Sequence, residues 1–231
     1  MSDRRRTSGN SESVDNYLKA ILTLGGPAEA RVTSTALAER LEVAPASITN
    51  MLQKLAAAEK PMVEYERHRG VRLSSAGKKR ALEVVRHHRL IETFLYEVLD
   101  YPIEEVHEEA ERLEHFISER FEERIAAKLG HPKIDPHGHF IPTMEGHMPQ
   151  QASVKLAEVV EGGTFVIDSV DDRDARTLKQ LEANGIKVGA KLKLKPRTAT
   201  EGYSVNIGRS AKALALSREM AGDIRIVPAQ K

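Results

Sequence analysis

The sequence predicts a mainly α-helical protein with additional β-structure: an N-terminal winged helix-turn-helix, a helical middle domain and a C-terminal SH3-like small β-barrel. Three observations predict this class. Two short amphipathic helices precede a hairpin, long amphipathic helices follow, and short alternating strands complete the chain. The expected boundaries are 1–12 for a disordered tail, 13–74 for the winged helix, 75–145 for the helical domain, 146–153 for a linker and 154–231 for the barrel.

The composition is that of a globular protein. The 231 residues are 40% hydrophobic and 30% charged, and they include no Cys, which excludes disulfides, thiolate metal ligands and cysteine nucleophiles. The net charge of +1 does not by itself indicate nucleic-acid binding, so any basic surface that contacts nucleic acid must be local. The chain contains no apolar run of membrane-spanning length and no signal peptide, so we expect a cytoplasmic protein without a membrane partner.

The first folded elements indicate a helix-turn-helix. Ser13 is a good N-cap for an amphipathic helix that ends at Gly25, and two shorter helices follow it, joined by a connection that ends at Pro45. In the second of these, apolar residues face inward and small polar residues lie early on the outer face, where phosphates and base edges can be reached. The alternative is an ordinary helical hairpin with a polar surface.

The next segment, a β-hairpin with a basic tip, favours DNA binding. Residues 62–65 and 71–73 predict its strands, and the run 67–80 contains no acidic residue. A helix-turn-helix followed by a basic hairpin is a winged helix, whose charge suits phosphate contact. We therefore expect double-stranded DNA as the partner. The expected contacts lie on the second helix and the wing: Pro45, Ser47, Thr49, Asn50, Lys54, Arg67 and Arg69.

Long helices are expected over 75–99 and 103–129. In the first, His88 and Glu92 share a face because they are four residues apart. The second contains H-E-E-A-E-R-L-E-H, in which two imidazoles and two carboxylates fall within an arc of about 100° on a continuous helix: His107, Glu111, Glu114 and His115. Nitrogen and oxygen ligands without sulfur favour Mn²⁺, Fe²⁺ or Zn²⁺. The alternative is a solvated acidic helix with two surface histidines.

The spare apolar faces of these helices predict a homodimer, since palindromic operators are read by two-fold symmetric dimers. Residues 131–150 are rich in Pro, Gly and His and predict an ordered loop. Its four histidines could indicate a metal-binding tract, although the interrupting prolines place them on no common helix face: His131, His137, His139 and His147. Strands at 156–160, 164–170, 191–195, 203–207 and 224–227, with a helix at 175–184, predict the SH3-like barrel.

These motifs together resemble the diphtheria toxin repressor family of metal-dependent transcriptional regulators, which has iron- and manganese-responsive branches. The resemblance covers most of the chain, including H-H-R-L-I-E, H-E-E-A-E-R-L-E-H and D-P-H-G-H-F-I-P. It implies a primary site of Glu111, Glu114 and His115 with a ligand from the N-terminal helix. By register that ligand is Asn16, and neighbouring Asp15 could substitute for it.

The resemblance further implies an ancillary site. His88, Glu92 and His107 match its ligands, and the SH3-like domain offers Asp172 or Asp174 as a further candidate.

Metal choice depends most on Glu111. Iron-sensing relatives commonly have Cys there and manganese-sensing ones have Glu, and a carboxylate in place of a thiolate favours harder ions. We therefore expect Mn²⁺, with Fe²⁺ as the alternative. Asn16 departs from both branches, which have Met or an acid. Lys19 stands where a two-manganese site in some relatives has an acid, which argues against two ions there.

The expected function is a metal-dependent DNA-binding regulator, a repressor in manganese and iron homeostasis, and not an enzyme. One alternative is a metalloenzyme in which Glu114 or Glu111 activates a metal-bound water. The sequence contains no nucleophile motif or phosphate loop to support it. A second alternative is a winged-helix regulator that senses an organic ligand.

Overall fold

A computed structural model describes residues 3–149, 152–196, 202–210 and 212–229. Its contacts divide the chain into two compact units. The first comprises Met1–His88, Leu113–Ser118 and Pro142–Gln150, and the second comprises Arg89–Arg112, Glu119–Ile141 and Gln151–Lys231. Residues 1–2 of the expected tail and 150–151 of the expected linker lie outside the described residues.

The first unit contains the predicted winged helix-turn-helix. Its elements are α1 (Asp3–Gly25), α2 (Ser34–Leu41), α3 (Pro45–Ala56), β1 (Val63–Glu66) and β2 (Gly70–Leu73). Thr33 caps α2 by accepting a hydrogen bond from the amide of Ala36, and Pro45 opens α3, where its missing N–H leaves no bond unmade. One hydrophobic core joins these elements; its members include Leu18, Leu37, Ile48, Leu52 and Val71.

Helix α1 begins at Asp3, well before the start predicted at Ser13. Ser13 therefore lies inside the helix and does not cap it. Extending an existing helix adds about one hydrogen bond for each residue ordered, so elongation costs little even through a polar segment. The later part of α1 is anchored in the core by Leu18 and Ile21, which are buried.

The single helix predicted over 103–129 is wrong. The chain instead forms α5 (Ile103–Leu113) and α6 (Glu119–Lys128) with a turn between them. Glutamates repeated at helical spacing repel one another and weaken a continuous helix. Ser118 is a residue type that favours the N-cap position, where a new helix begins. Glu114 and His115 consequently lie in the turn after α5 and not on a helical stripe. The other long helix, α4 (Ser75–Leu99), has the predicted bounds.

The second unit contains a six-stranded antiparallel sheet. Its strands, in the order β3-β8-β4-β5-β6-β7, are β3 (Val154–Lys155), β4 (Gly163–Val170), β5 (Lys191–Leu194), β6 (Tyr203–Ile207), β7 (Leu214–Leu216) and β8 (Ile224–Pro228). Helices α7 (Ala175–Ala183) and α8 (Arg218–Gly222) connect them. The core beneath the sheet includes Leu156, Ile167, Leu181, Leu192 and Ile226.

Two details of this sheet differ from the prediction. Residues 156–160 do not form a strand, because β3 ends at Lys155 and Leu156–Glu158 form a 3₁₀ turn. Leu, Ala and Glu favour helical conformations, and of the three residues in this turn only Leu156 is fully buried. The short elements β7 and α8 were not predicted. Within the described residues, none of the helices combines the length and apolar character needed to cross a bilayer.

Candidate metal centre

Side chains from α1, α4 and the turn after α5 meet within the first unit in what we call the first cluster: Asp15, Lys19, His88, Glu114 and His115. Its centre is the carboxylate of Glu114, whose side chain is fully buried. His88 Nδ1 lies 2.6 Å from Oε2 of Glu114, and His115 Nε2 lies 3.4 Å from Oε1. The Lys19 ammonium donates to the same two oxygens at 2.8 Å and 3.1 Å. One buried carboxylate is thus surrounded by groups that can carry positive charge.

Asp15 is held by Arg80. Nη2 and Nε of Arg80 donate to the two carboxylate oxygens at 2.6 Å and 2.8 Å. Oδ2 of Asp15 also lies 3.5 Å from Nδ1 of His115. Burial raises the pKa of Asp15, but nearby His115 and the hydrogen bonds and positive charge of Arg80 outweigh it and the pKa is lowered. Asp15 is therefore an anion beside the His115 imidazole, whose Nδ1 makes no hydrogen bond among the described residues.

The neighbouring Asn16 offers an oxygen without a partner. Its Oδ1 is buried and accepts no hydrogen bond from the described residues. A buried acceptor left unsatisfied costs about 1–3 kcal/mol, so such an atom usually meets an ordered water, an ion or another ligand. Because Asn16 and Lys19 are three residues apart on α1, they share a helix face. An amide oxygen, a carboxylate and imidazole nitrogens form a donor set suited to Mn²⁺ or Fe²⁺, so the first cluster fits a divalent cation.

Glu111, predicted for the primary site, belongs to the second unit. Its Oε1 lies 4.0 Å from Nε2 of His107, four residues earlier on α5. His88, predicted for the ancillary site, contacts Glu114 in the first unit.

A second cluster lies wholly within the second unit: Glu92, His107, Asp135, His137 and Asp172. His107 Nδ1 lies 3.2 Å from Glu92 Oε1 and 3.5 Å from Asp172 Oδ2. His137 Nδ1 lies 3.7 Å and 3.8 Å from the same two oxygens. Ligand atoms of Glu92, Asp135 and His137 lie within 4.8 Å of one another. Side chains from α4, α5, the 131–150 loop and the segment after β4 therefore converge.

The second cluster has an excess of negative charge. Burial by itself lowers the pKa of His107, but the carboxylates of Asp172 and Glu92 outweigh it and raise the pKa to about 10. The pKa of His137 is raised to about 9, since Glu92 and Asp172 more than offset its burial. Oδ2 of Asp135 and Nδ1 of His137 are buried without a hydrogen-bond partner among the described residues. The unpaired ligand atoms and the excess negative charge of the second cluster also fit a divalent cation.

Two of the four loop histidines lie beside the carboxylates of the second cluster, although the four share no helix face. His137 belongs to the second cluster, and His139 Nδ1 lies 3.7 Å from Asp172 Oδ2, whereas His131 and His147 are exposed. Asp135 organises the loop, because its Oδ1 accepts hydrogen bonds at 2.9 Å from the amides of His137 and His139. The pattern Asp-x-His-x-His is the signal that could have indicated this.

A glycine allows this loop to pack closely against the sheet. Gly138 has a φ of 90°, and a Cβ there would lie 2.1 Å from the carbonyl oxygen of Asp168 in β4. The loop and β4 are also joined by the amide of Val170, which donates to the carbonyl of His137 at 3.0 Å. The approach brings His137 next to the segment that carries Asp172.

Of the two aspartates proposed from the SH3-like domain, only Asp172 lies in the cluster. Asp174 caps α7, where its side chain accepts a hydrogen bond from the amide of Arg176 at 3.0 Å and another from the hydroxyl of Thr177. An Asp immediately before a predicted helix is a common N-cap, and this signal could have distinguished the capping role of Asp174 from the cluster position of Asp172.

The predicted DNA contacts occupy an accessible face of the winged helix. On α3, Pro45, Ser47, Asn50 and Lys54 are exposed, while Thr49 is half-buried. On the wing, Arg67 is exposed and the Arg69 side chain is 78% exposed, although it lies 3.1 Å from Glu66.

Family models match nearly the whole chain. The iron dependent repressor N-terminal DNA binding domain matches residues 10–71, the iron dependent repressor metal binding and dimerisation domain matches 74–143, and the FeoA domain matches 154–228. The HTH-type transcriptional regulator MntR of Oceanobacillus iheyensis is 36% identical over 53% of this chain and 81% of its own length. The chain belongs to the iron-dependent repressor family.

Other relatives match more than nine tenths of the chain. The iron-dependent repressor IdeR of Mycobacterium leprae is 28% identical over 93% of this chain and 96% of its own. A solved manganese-dependent transcriptional repressor in complex with manganese has a TM-score of 0.85 and 36% identity, covering 94% of this chain and 100% of its own. The predicted fold class is confirmed, and this iron-dependent repressor family member is a metal-dependent transcriptional repressor.

Proposed function

We propose that this repressor binds Mn²⁺ at the first cluster and then binds a palindromic operator as a homodimer, with Fe²⁺ as the alternative metal. The first cluster carries this proposal, because its donors come from α1, the helix that leads into the helix-turn-helix, and from the turn at Glu114 and His115. A bound divalent ion supplies the positive charge that holds such donors together. The test is operator binding measured with Mn²⁺ and after chelation.

We assign Asn16, Glu114 and His115 as ligands of the first cluster. Asp15 is engaged by Arg80 through both oxygens, whereas Asn16 Oδ1 accepts no hydrogen bond from the part of the chain that the structure describes. The contact between His88 and Glu114 supports moving His88 from the ancillary site to this one. Glu111 is kept as a primary-site ligand on the grounds of the family pattern.

The second cluster is proposed as the ancillary site. Glu92, His107, His137 and Asp172 are its expected ligands, with Asp135 completing the set. Asp172 would make the C-terminal domain a direct contributor to metal binding.

The metal preference gives a prediction at Glu111. Replacing Glu111 by Cys should raise the response of operator binding to Fe²⁺ and Zn²⁺ relative to Mn²⁺, because a thiolate favours softer ions. The measurement is the concentration of each metal that gives half-maximal operator binding. Glu108→Cys adds a thiol one turn away at an exposed position and serves as the control. An unchanged order of metals in Glu111→Cys would remove Glu111 from the primary site.

The wing gives a second prediction. Replacing Arg69 by Ala should weaken binding to every DNA sequence and reduce the log–log salt slope by about one unit, as the loss of one phosphate contact does. Replacing Asn50 by Ala should instead relax sequence preference, because a base-edge contact is lost. Arg209→Ala, at an exposed site in the second unit, is the matched control. A salt slope that stays the same in Arg69→Ala would contradict the wing assignment.

A further inference from the structure

Lys19 occupies an unusual place in the first cluster. Its ammonium nitrogen lies 2.8 Å and 3.1 Å from the Glu114 oxygens and 3.3 Å from Nδ1 of His88. The Lys19 side chain is 16% exposed, and that of Glu114 is 0% exposed. A positive charge carried by the chain itself therefore lies among the groups that we assign to metal binding.

This charge has a clear electrostatic role. A carboxylate as buried as Glu114 needs a compensating cation, and removing the partner of a buried ion pair is strongly destabilising. The ammonium supplies that cation when no metal is bound. It also repels a divalent ion brought to the same carboxylate, because like charges a few ångströms apart repel strongly in a site with little water.

We propose that the Lys19 ammonium is a built-in monovalent cation of the first cluster. It occupies a cation position between Glu114 and His88, so the cluster takes one divalent ion instead of two. It also weakens the affinity for that ion and so raises the metal concentration at which the repressor responds. This inference rests on the proposed metal binding at the first cluster.

Metal titration of the full-length protein tests the proposal. Isothermal titration with MnCl₂, supported by electron paramagnetic resonance of free Mn²⁺, gives the number of ions per protomer and their affinity. Lys19→Gln should bind the first-cluster ion about tenfold more tightly or better, since one repelling charge is removed. Lys19→Glu should bind one more ion per protomer than the unmodified protein. Lys78→Gln, which removes a half-exposed lysine paired with Glu29, should change neither.

Thermal unfolding separates this role from a merely structural ion pair. Without metal, Lys19→Gln should melt at a lower temperature than the unmodified protein. Addition of Mn²⁺ should raise the melting temperature of the variant more than that of the unmodified protein. A structural pair would lower the melting temperature equally in both conditions. A variant that folds only with Mn²⁺ supports the proposal, and one that is unfolded in both conditions contradicts it.

The experiments distinguish a failure of the proposed function from a failure of the proposed role of Lys19. If Mn²⁺ neither binds nor stabilises the unmodified protein, the proposed function fails. If Mn²⁺ stabilises the unmodified protein while Lys19→Gln and Lys19→Glu keep the same ion count, affinity and metal-induced stabilisation, only the role of Lys19 is overturned.

Discussion

Replacing His115 by Ala is expected to abolish Mn²⁺-dependent operator binding while the dimer and weak non-specific DNA binding persist. The His115 side chain is only 3% exposed, with Nε2 at 3.4 Å from Glu114 and Nδ1 at 3.5 Å from Asp15. Alanine removes a buried imidazole that we propose as a ligand and leaves Glu114 without the neighbouring His115 nitrogen. His147→Ala removes an exposed histidine of the same unit and should leave the metal response intact.

The size of this effect follows from linkage. A 100-fold activation of operator binding by metal corresponds to about 2.7 kcal/mol of coupling, and operator DNA must tighten metal binding by the same factor. His115→Ala should remove both effects together. Operator titrations with and without Mn²⁺, and Mn²⁺ titrations with and without operator, measure the two sides. A His115→Ala protein that still responds fully to Mn²⁺ would overturn the assignment of the first cluster.

Replacing Asp172 by Asn should remove one bound Mn²⁺ per protomer and reduce metal-dependent operator binding less than His115→Ala does. Oδ2 of Asp172 lies 3.5 Å from His107, 3.8 Å from His137 and 3.7 Å from His139, so it is shared by three imidazoles. Asparagine keeps the shape but loses the charge. We expect the affinity at this cluster to fall by more than the roughly 10–100-fold seen when outer partners of metal ligands are changed, because Asp172 is proposed as a ligand itself.

Asp174→Asn is the matched control for Asp172→Asn. Asparagine caps helices as well as aspartate does, so α7 should remain intact. This variant should bind the same number of ions as the unmodified protein. The two variants therefore differ in whether the lost charge faces the second cluster. Equal ion counts in both would show that Asp172 is not a metal ligand.

The winged helix could be predicted because its signals are local. Apolar spacing in α3 sets the buried face around Ile48 and Leu52, and Pro45 marks the helix start within the sequence itself. The break between α5 and α6 could not be predicted in this way. Helical periodicity assumes a continuous helix. The prediction that Glu114 and His115 share a helix face with the earlier residues of the motif depended on that assumption.

The candidate site was predicted where ligands are close in sequence and missed where the fold brings distant segments together. Glu92 and His107 follow from helical spacing. His137 and Asp135 depend on a loop held by hydrogen bonds to Asp135 and on the close approach that Gly138 allows, and neither has a periodic signal. The ion pair between Lys19 and Glu114 joins residues far apart in sequence, and no local pattern indicates it.

The most direct test of the central claim is an operator titration under controlled metal. An operator is selected from random duplex DNA in the presence of Mn²⁺, and its affinity for the full-length protein is then measured with Mn²⁺, Fe²⁺ under anaerobic conditions, Zn²⁺ and a chelator. We expect tight binding with Mn²⁺, a weaker response to Fe²⁺ at equal free concentration, and only weak non-specific binding after chelation. Operator affinity that is the same with Mn²⁺ and after chelation would contradict the account.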